Sequence, residues 1–211
     1  MTWGPRDWDA WTASTECTPR SDVSQHVDVA RFVLDNLPDR DTMSVVDLGC
    51  GAGRDLPFLA ARFADVTAVD FAPESLAEAR KACVDLPVSF RRRDLRDLAP
   101  FRNRFDVAWA MDSILGPGLR EFDRVVSQAY RTLREGGLLV ASFPASPRGE
   151  GVPRPFRLDD GDETTADVLC HHEAELQYRL ARAGFQGVRV RRLAGVESDT
   201  LLAIATRRAL N

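Results

Sequence analysis

Residues Val45 to Asp55 read VVDLGCGAGRD, an acidic residue followed by three glycines in five positions. A surface turn needs one or two glycines. Three, at Gly49, Gly51 and Gly53, imply that something presses close against the backbone. The apolar run Met43 to Leu48 before them reads as a buried strand, and Arg54 to Phe63 after them as a helix. A glycine loop in that place turns sharply and offers a ligand the free N–H groups of a helix start. The dinucleotide pattern GxGxxG is not met. The third glycine comes one position early, and Arg54 would crowd the helix packing that a pyrophosphate site requires.

Two further acids end apolar runs downstream. Asp70 closes the strand in VTAVDFAP, and Asp94 closes the one in SFRRRDLRDL. A carboxylate can accept two hydrogen bonds, as from a vicinal diol. Asp70 is also placed to cap the helix from Pro73, and RRRDLRD also reads as a solvated edge. A nucleic-acid patch is disfavoured there. Strand alternation splits Arg91 and Arg93 from Arg92, and the chain carries a net charge of −4. CHHE, Cys170 to Glu173, suggests a metal site, but adjacent histidines on a strand point apart, and the start of a helix is the plainer reading.

The elements that must position these residues alternate. Helices are expected over Ser24–Leu37, Arg54–Phe63, Pro73–Cys83, Leu119–Arg134 (ending at Gly136-Gly137) and Glu173–Ala183. Strands are expected over Met43–Leu48, Val66–Asp70, Val88–Arg92, Phe105–Met111, Leu138–Phe143, Val188–Leu193 and Thr200–Thr206. Such alternation builds an α/β fold, a parallel sheet covered on both faces, with ligands bound outside the carboxyl ends of the strands. Ser146 to Asp162, rich in Pro, Gly, Arg and Asp, reads as an insertion or lid-like loop (about 146–172 in all).

At 211 residues, with 44% hydrophobic and 28% charged, the chain suits a single globular domain: an N-terminal lid and helix over 1–40 and the main body over 41–211. Lys81 is the single lysine and sits in a charged helical run, which sets Schiff-base chemistry aside. Cys17, Cys50, Cys83 and Cys170 show no CxxC spacing and read as reduced thiols of a cytoplasmic protein. No signal-peptide core or membrane-length apolar run is expected.

The glycine loop with its acid-tipped strands resembles the class I S-adenosylmethionine-dependent methyltransferases. Their first motif, an acid followed by xGxGxG, is matched by Asp47-Leu48-Gly49-Cys50-Gly51-Ala52-Gly53. The resemblance runs from about Val45 to Thr206. It implies a Rossmann-like, doubly wound seven-stranded sheet of order 3-2-1-4-5-7-6 with strand 7 antiparallel. It also implies S-adenosyl-L-methionine as methyl donor, leaving as S-adenosyl-L-homocysteine. Asp70 would then bridge the ribose hydroxyls, Phe71 pack on the adenine, Asp94 meet the adenine amino group with Leu95 beside the ring, and Asp47, Gly49 and Gly51 hold the methionine end. Cys50 and Gly53 complete the loop, and Ala110 to Ser113 would line the sulfonium and the acceptor pocket. Because AMDSIL lacks the Asn/Asp-Pro-Pro-aromatic motif of base and amide methylators, a small-molecule acceptor is expected, with no nucleic acid, membrane or metal partner and a monomer or homodimer. Asp112 is the candidate base or substrate anchor and His171 or His172 a further candidate base; Trp3, Trp8 and Trp11 are candidate lid residues, and Arg20 and Ser21 candidate contacts to the cofactor's carboxylate. A cofactor-binding regulatory or scaffolding protein without catalysis is the alternative.

Overall fold

The computed structural model describes residues 25–115, 118–146, 152–157, 165–194 and 199–209. The N-terminal tryptophans, Arg20, Ser21 and residues 147–151 and 158–164 of the expected lid lie outside these residues.

Seven strands form the main sheet: β1 (Ser44–Leu48), β2 (Asp65–Asp70), β3 (Val88–Arg92), β4 (Phe105–Ala110), β5 (Leu133–Pro144), β8 (Phe185–Leu193) and β9 (Thr200–Arg207). Their order is β3-β2-β1-β4-β5-β9-β8. Strands β1 to β5 pair in parallel, while β9 runs antiparallel to both β5 and β8. Counted within this sheet the order is 3-2-1-4-5-7-6, as expected.

Strand alternation sorts the apolar residues into two cores. Val46, Leu48, Leu139, Ala141 and Phe143 face one side, where Phe122, Val126 and Ala129 of α4 (Leu119–Thr132) and Leu176 and Leu180 of α5 (Glu173–Arg182) cover them. Val45, Val107, Trp109 and Val140 face the other. There α1 (Gln25–Asp35) contributes Val27, Ala30, Val33 and Leu34, α2 (Leu56–Ala60) contributes Leu56 and Leu59, and α3 (Pro73–Ala82) contributes Leu76 and Ala79. No helix among the described residues is long and apolar enough to cross a membrane.

Three elements depart from the sequence reading. The helix after the glycines is regular only over α2, because the turns of the loop occupy residues up to Asp55. Helix α4 stops at Thr132, ahead of Gly136-Gly137, and Leu133 takes an extended conformation (ψ 150°). Its last carbonyls are drawn off sideways. Arg131 and Thr132 accept from the backbone of Asn103 and Arg104, and Arg207 Nη1 donates to the Leu133 oxygen at 2.6 Å. The two glycines instead lie in β5, where the register with β4 shifts between Phe105 and Val107. Finally, the stretch read as loop contains β6 (Val152–Arg157), paired antiparallel with β7 (Thr165–Cys170). Pro153 and Pro155 alternate in β6, so both missing N–H groups fall on one edge of the ribbon, which a two-stranded pair tolerates.

Candidate functional site

At the carboxyl ends of β1, β2, β3 and β4 a cleft of about 600 Å³ opens, within the usual range for small-molecule sites. It is lined by Gly49, Gly51, Asp70, Phe71, Asp94, Leu95, Arg96, Asp112, Ser113, Ile114, Leu115, Glu121 and Val125. The sequence-derived set thus converges on one cavity, apart from Asp47, Cys50, Gly53, Ala110 and His171, which lie outside the lining.

The glycines divide two ways. All take positive φ, but what lies against them differs. A methyl group at Gly49 would stand 2.4 Å from Ser113 Cβ, and one at Gly53 would stand 3.2 Å from Ala79 Cβ. At Gly51 nothing lies within 4 Å. Two glycines therefore admit the protein's own neighbours, and the third faces open space in the cleft.

Asp70 is fixed by the loop it serves. Its Oδ2 accepts from Gly51 N at 2.8 Å and its Oδ1 from Ala72 N at 2.9 Å. Each oxygen retains a second lone pair for a diol. Phe71, the next residue, is 69% exposed, unusual for a phenylalanine and suited to stacking on a planar ring. Asp94 is gripped by Arg96, whose Nε and Nη2 lie at 3.0 and 2.5 Å from the carboxylate, with Arg96 N at 2.8 Å. Those hydrogen bonds hold Asp94 below the usual carboxylate range. Asp47, buried behind the loop, is pushed well above that range, first by burial and then by the charges of Asp55 and Asp70. Burial also raises the Cys50 thiol, with Asp47 adding to it, so Cys50 is a packed filler without thiolate character.

Asp112 adopts the left-handed conformation at φ 55°, an uncommon state for a residue with a side chain. Its backbone N–H donates to Ser142 Oγ at 2.7 Å, and Ser142 Oγ lies 2.8 Å from Asp112 Oδ1. His26 Nε2 of α1 lies 2.8 Å from Oδ1, and Arg54 Nη1 lies 3.3 Å from Oδ2. Burial works to raise its pKa, but the hydrogen bond and charge of His26, the bond from Ser142 and the charge of Arg54 prevail and lower it to about 2. Asp112 is therefore a fixed anion, a poor general base and a good hydrogen-bond acceptor. His171 has other partners. It packs on the α4 and α5 face, with Nδ1 2.9 Å from Glu175 Oε2, while the His172 ring turns toward Glu173. The two candidate bases do not touch.

Residues absent from the sequence reading complete the site. His26 is a lone helical histidine with no local signal. Arg54, read as an obstacle, bridges Asp55 and Asp112. Asp55 is buried under Arg31 (2.7 Å), Arg54 (3.1 Å) and Trp109 Nε1 (3.2 Å), and so locks α1 and the loop to β4.

Residues 45–137 match the family described as "Methyltransferase domain". The chain is also similar to proteins of named activity. The chain is 29% identical over 118 residues to a trans-aconitate 2-methyltransferase of Deinococcus radiodurans, covering 56% of this chain and 44% of that protein. It is 35% identical over 133 residues to a magnesium-protoporphyrin O-methyltransferase of Rhodobacter capsulatus, covering 58% and 57%. The chain thus spans about half the length of the curated relatives it matches. In fold it is similar to a 1,6-didemethyltoxoflavin-N1-methyltransferase of Burkholderia thailandensis, solved with S-adenosylhomocysteine bound (TM-score 0.69, 21% identity, covering 99% of this chain and 92% of that one). The residues of the cleft fit S-adenosylmethionine. An acid with spare lone pairs, an exposed ring and open backbone at Gly51 stand together.

Proposed function

We propose that the chain transfers a methyl group from S-adenosylmethionine to a small-molecule acceptor. One observation carries this reading: Asp70, Phe71, Asp94 and the open Gly51 line a single cleft in the segment that matches the methyltransferase family. When bound, S-adenosylmethionine supplies a methyl carbon already activated by positive sulfur. The protein's task is to align the acceptor, exclude water and deal with the acceptor's proton. Asp70 takes the ribose hydroxyls, Phe71 and Leu95 the adenine faces and Asp94 its amino group. Asp47 and the loop take the methionine end. Ile114, Leu115 and Val125 give the acceptor an apolar wall. Asp112 acts there as an anion that accepts a hydrogen bond from the acceptor, and His26, Ser142 and Arg54 hold it in place.

Calorimetry with S-adenosylmethionine and S-adenosylhomocysteine tests the reading, with Asp70→Ala as control. Micromolar binding, about −8 kcal/mol, that is lost in the variant is expected. Binding to neither compound would overturn it. For the anchor, Asp112→Asn is expected to lower turnover while S-adenosylhomocysteine affinity survives.

A further inference from the structure

Asp94 and Arg96 both line the cleft, just past the end of β3. Their side chains are 42% and 53% exposed. Asp94 Oδ1 accepts from Arg96 N at 2.8 Å and from Arg96 Nε at 3.0 Å. Oδ2 accepts from Nη2 at 2.5 Å and lies 3.0 Å from the same Nε. Among the described residues no other side chain bonds to this carboxylate. The backbone that carries the pair is held on two sides. Arg124 Nε of α4 donates to the Arg96 oxygen at 3.1 Å, and Leu95, between the two residues, packs against the core that α4 covers. Asp97 N closes the turn on the Asp94 oxygen at 2.9 Å.

Neither charge nor stability explains this grip. A free aspartate titrates near ~4 and is ionised at neutral pH without help. An exposed ion pair adds little to the stability of a fold. What a guanidinium fork does supply is direction, because it fixes the plane of the carboxylate it holds. A half-exposed carboxylate without such a partner turns freely about its broad terminal torsion. The grip also uses up acceptor positions. A carboxylate offers about four. Arg96 N and Nε fill Oδ1, and Nη2 takes one side of Oδ2, which leaves one position on Oδ2 for a ligand.

We propose that Arg96 is a positioning residue that makes the cofactor site selective for a ring bearing an amino group, by turning the one open lone pair of Asp94 to the cleft. The proposal rests on the methyl-transfer reading, in which Asp94 takes the adenine amino group, and adds the residue that makes that contact selective. The carboxylate, held ionised by Arg96, can only accept. With its plane fixed, it meets one N–H of an amino group. A ring without the amino group leaves the same lone pair shielded from water and unpaired, which is the stronger form of discrimination. Without Arg96 the carboxylate turns to water and meets either ring equally.

The test is calorimetry on the full chain with S-adenosylhomocysteine and its 6-deamino analogue, in which hydrogen replaces the amino group. The unaltered chain is expected to prefer the amino compound about 10- to 30-fold, the worth of one bond to a charged group. Arg96→Ala is expected to cut that preference to about threefold or less, by weakening the amino compound alone, and to leave the melting temperature within about 2 °C. Arg96→Lys keeps the charge but not the fork, and is expected to behave like Arg96→Ala. A full preference in either variant would overturn the proposal, and so would an equal loss of affinity for both compounds, which marks a merely structural residue. Asp94→Ala separates the two levels. Preference lost there but kept in Arg96→Ala removes only the role of Arg96. Preference kept in Asp94→Ala removes the assignment of Asp94 to the amino group, and the proposal with it. Binding of neither compound by the unaltered chain would overturn the methyl-transfer reading together with the proposal.

Discussion

Gly49→Ala is the substitution whose outcome can be worked most closely from the structure. Gly49 has φ +79°, and a methyl group there would stand 2.4 Å from Ser113 Cβ and 3.1 Å from its Oγ. Left-handed backbone costs a residue with a side chain about 1–2 kcal/mol. Forcing a methyl into filled space adds about 1–3 kcal/mol, because Ser113 cannot simply turn away. Its Oγ donates to the Leu48 oxygen at 2.5 Å, and its backbone follows the constrained Asp112. The sum is about 2–5 kcal/mol. Gly51→Ala is the control, since it has positive φ but nothing within 4 Å, and should cost only the backbone part, about 1–2 kcal/mol. Urea denaturation of the cofactor-free chain measures both. Adding Ser113→Gly to Gly49→Ala removes the obstructing Cβ and should recover most of the difference. Calorimetry should reverse the order of harm relative to its cause: Gly51→Ala loses affinity by intruding on the ligand, while Gly49→Ala loses it by displacing Ser113. Equal stability losses at the two glycines, or no recovery in the double variant, would refute the reasoning.

Other expectations follow from the charges. Asp47→Asn should raise the melting temperature of the cofactor-free chain at neutral pH. A carboxyl whose folded pKa is raised destabilises the fold increasingly as pH rises above its unfolded value of about 4, so the gain should vanish in acid. The same variant should bind S-adenosylhomocysteine more weakly. Asp112 shifts the other way, to about 2, so its contribution is fully present above its unfolded pKa near ~4 and is lost as pH falls toward 2. The melting-temperature difference between wild type and Asp112→Asn should therefore be flat above about pH 5 and shrink between pH 4 and 2. Arg31→Ala leaves the buried Asp55 to Arg54 and Trp109, and should cost about 2 kcal/mol, or roughly 4–8 °C by calorimetric scanning.

The sheet was legible because most of its first five strands carry a short apolar run ended by a turn signal, and three of the run ends carry acids. Part of the cleft lining was legible for the same reason: local sequence places Gly51, Asp70 and Asp94 at strand tips. What could not be read depends on partners far apart in the chain. The end of α4 is set by Asn103, Arg104 and Arg207, not by the nearby glycines. Asp112 read as a candidate base or substrate anchor, and His26, Ser142 and Arg54 come from three separate segments to hold it ionised. His171 looked like the start of a helix, and its contact with Glu175 and its tie to the tip of β5 appear only in the fold. The Pro-rich stretch before β7 conceals β6, because one-sided pairing lets a strand keep alternate prolines.

The position of β9 between β5 and β8 has a consequence for how the molecule is made. A nascent chain emerges from the ribosome with β1 to β5 complete and their helices available, but the flank of β5 has no neighbour until residues 200–207 have been synthesised. Through that interval Leu139, Val140 and Ala141 present an open, apolar edge, and β8 has nothing to pair with. Open edges of this kind recruit strands from other molecules. Translation speed between residues 145 and 207, and holding by chaperones during it, should therefore govern the yield of active protein more than substitutions of equal thermodynamic cost in β1 to β5.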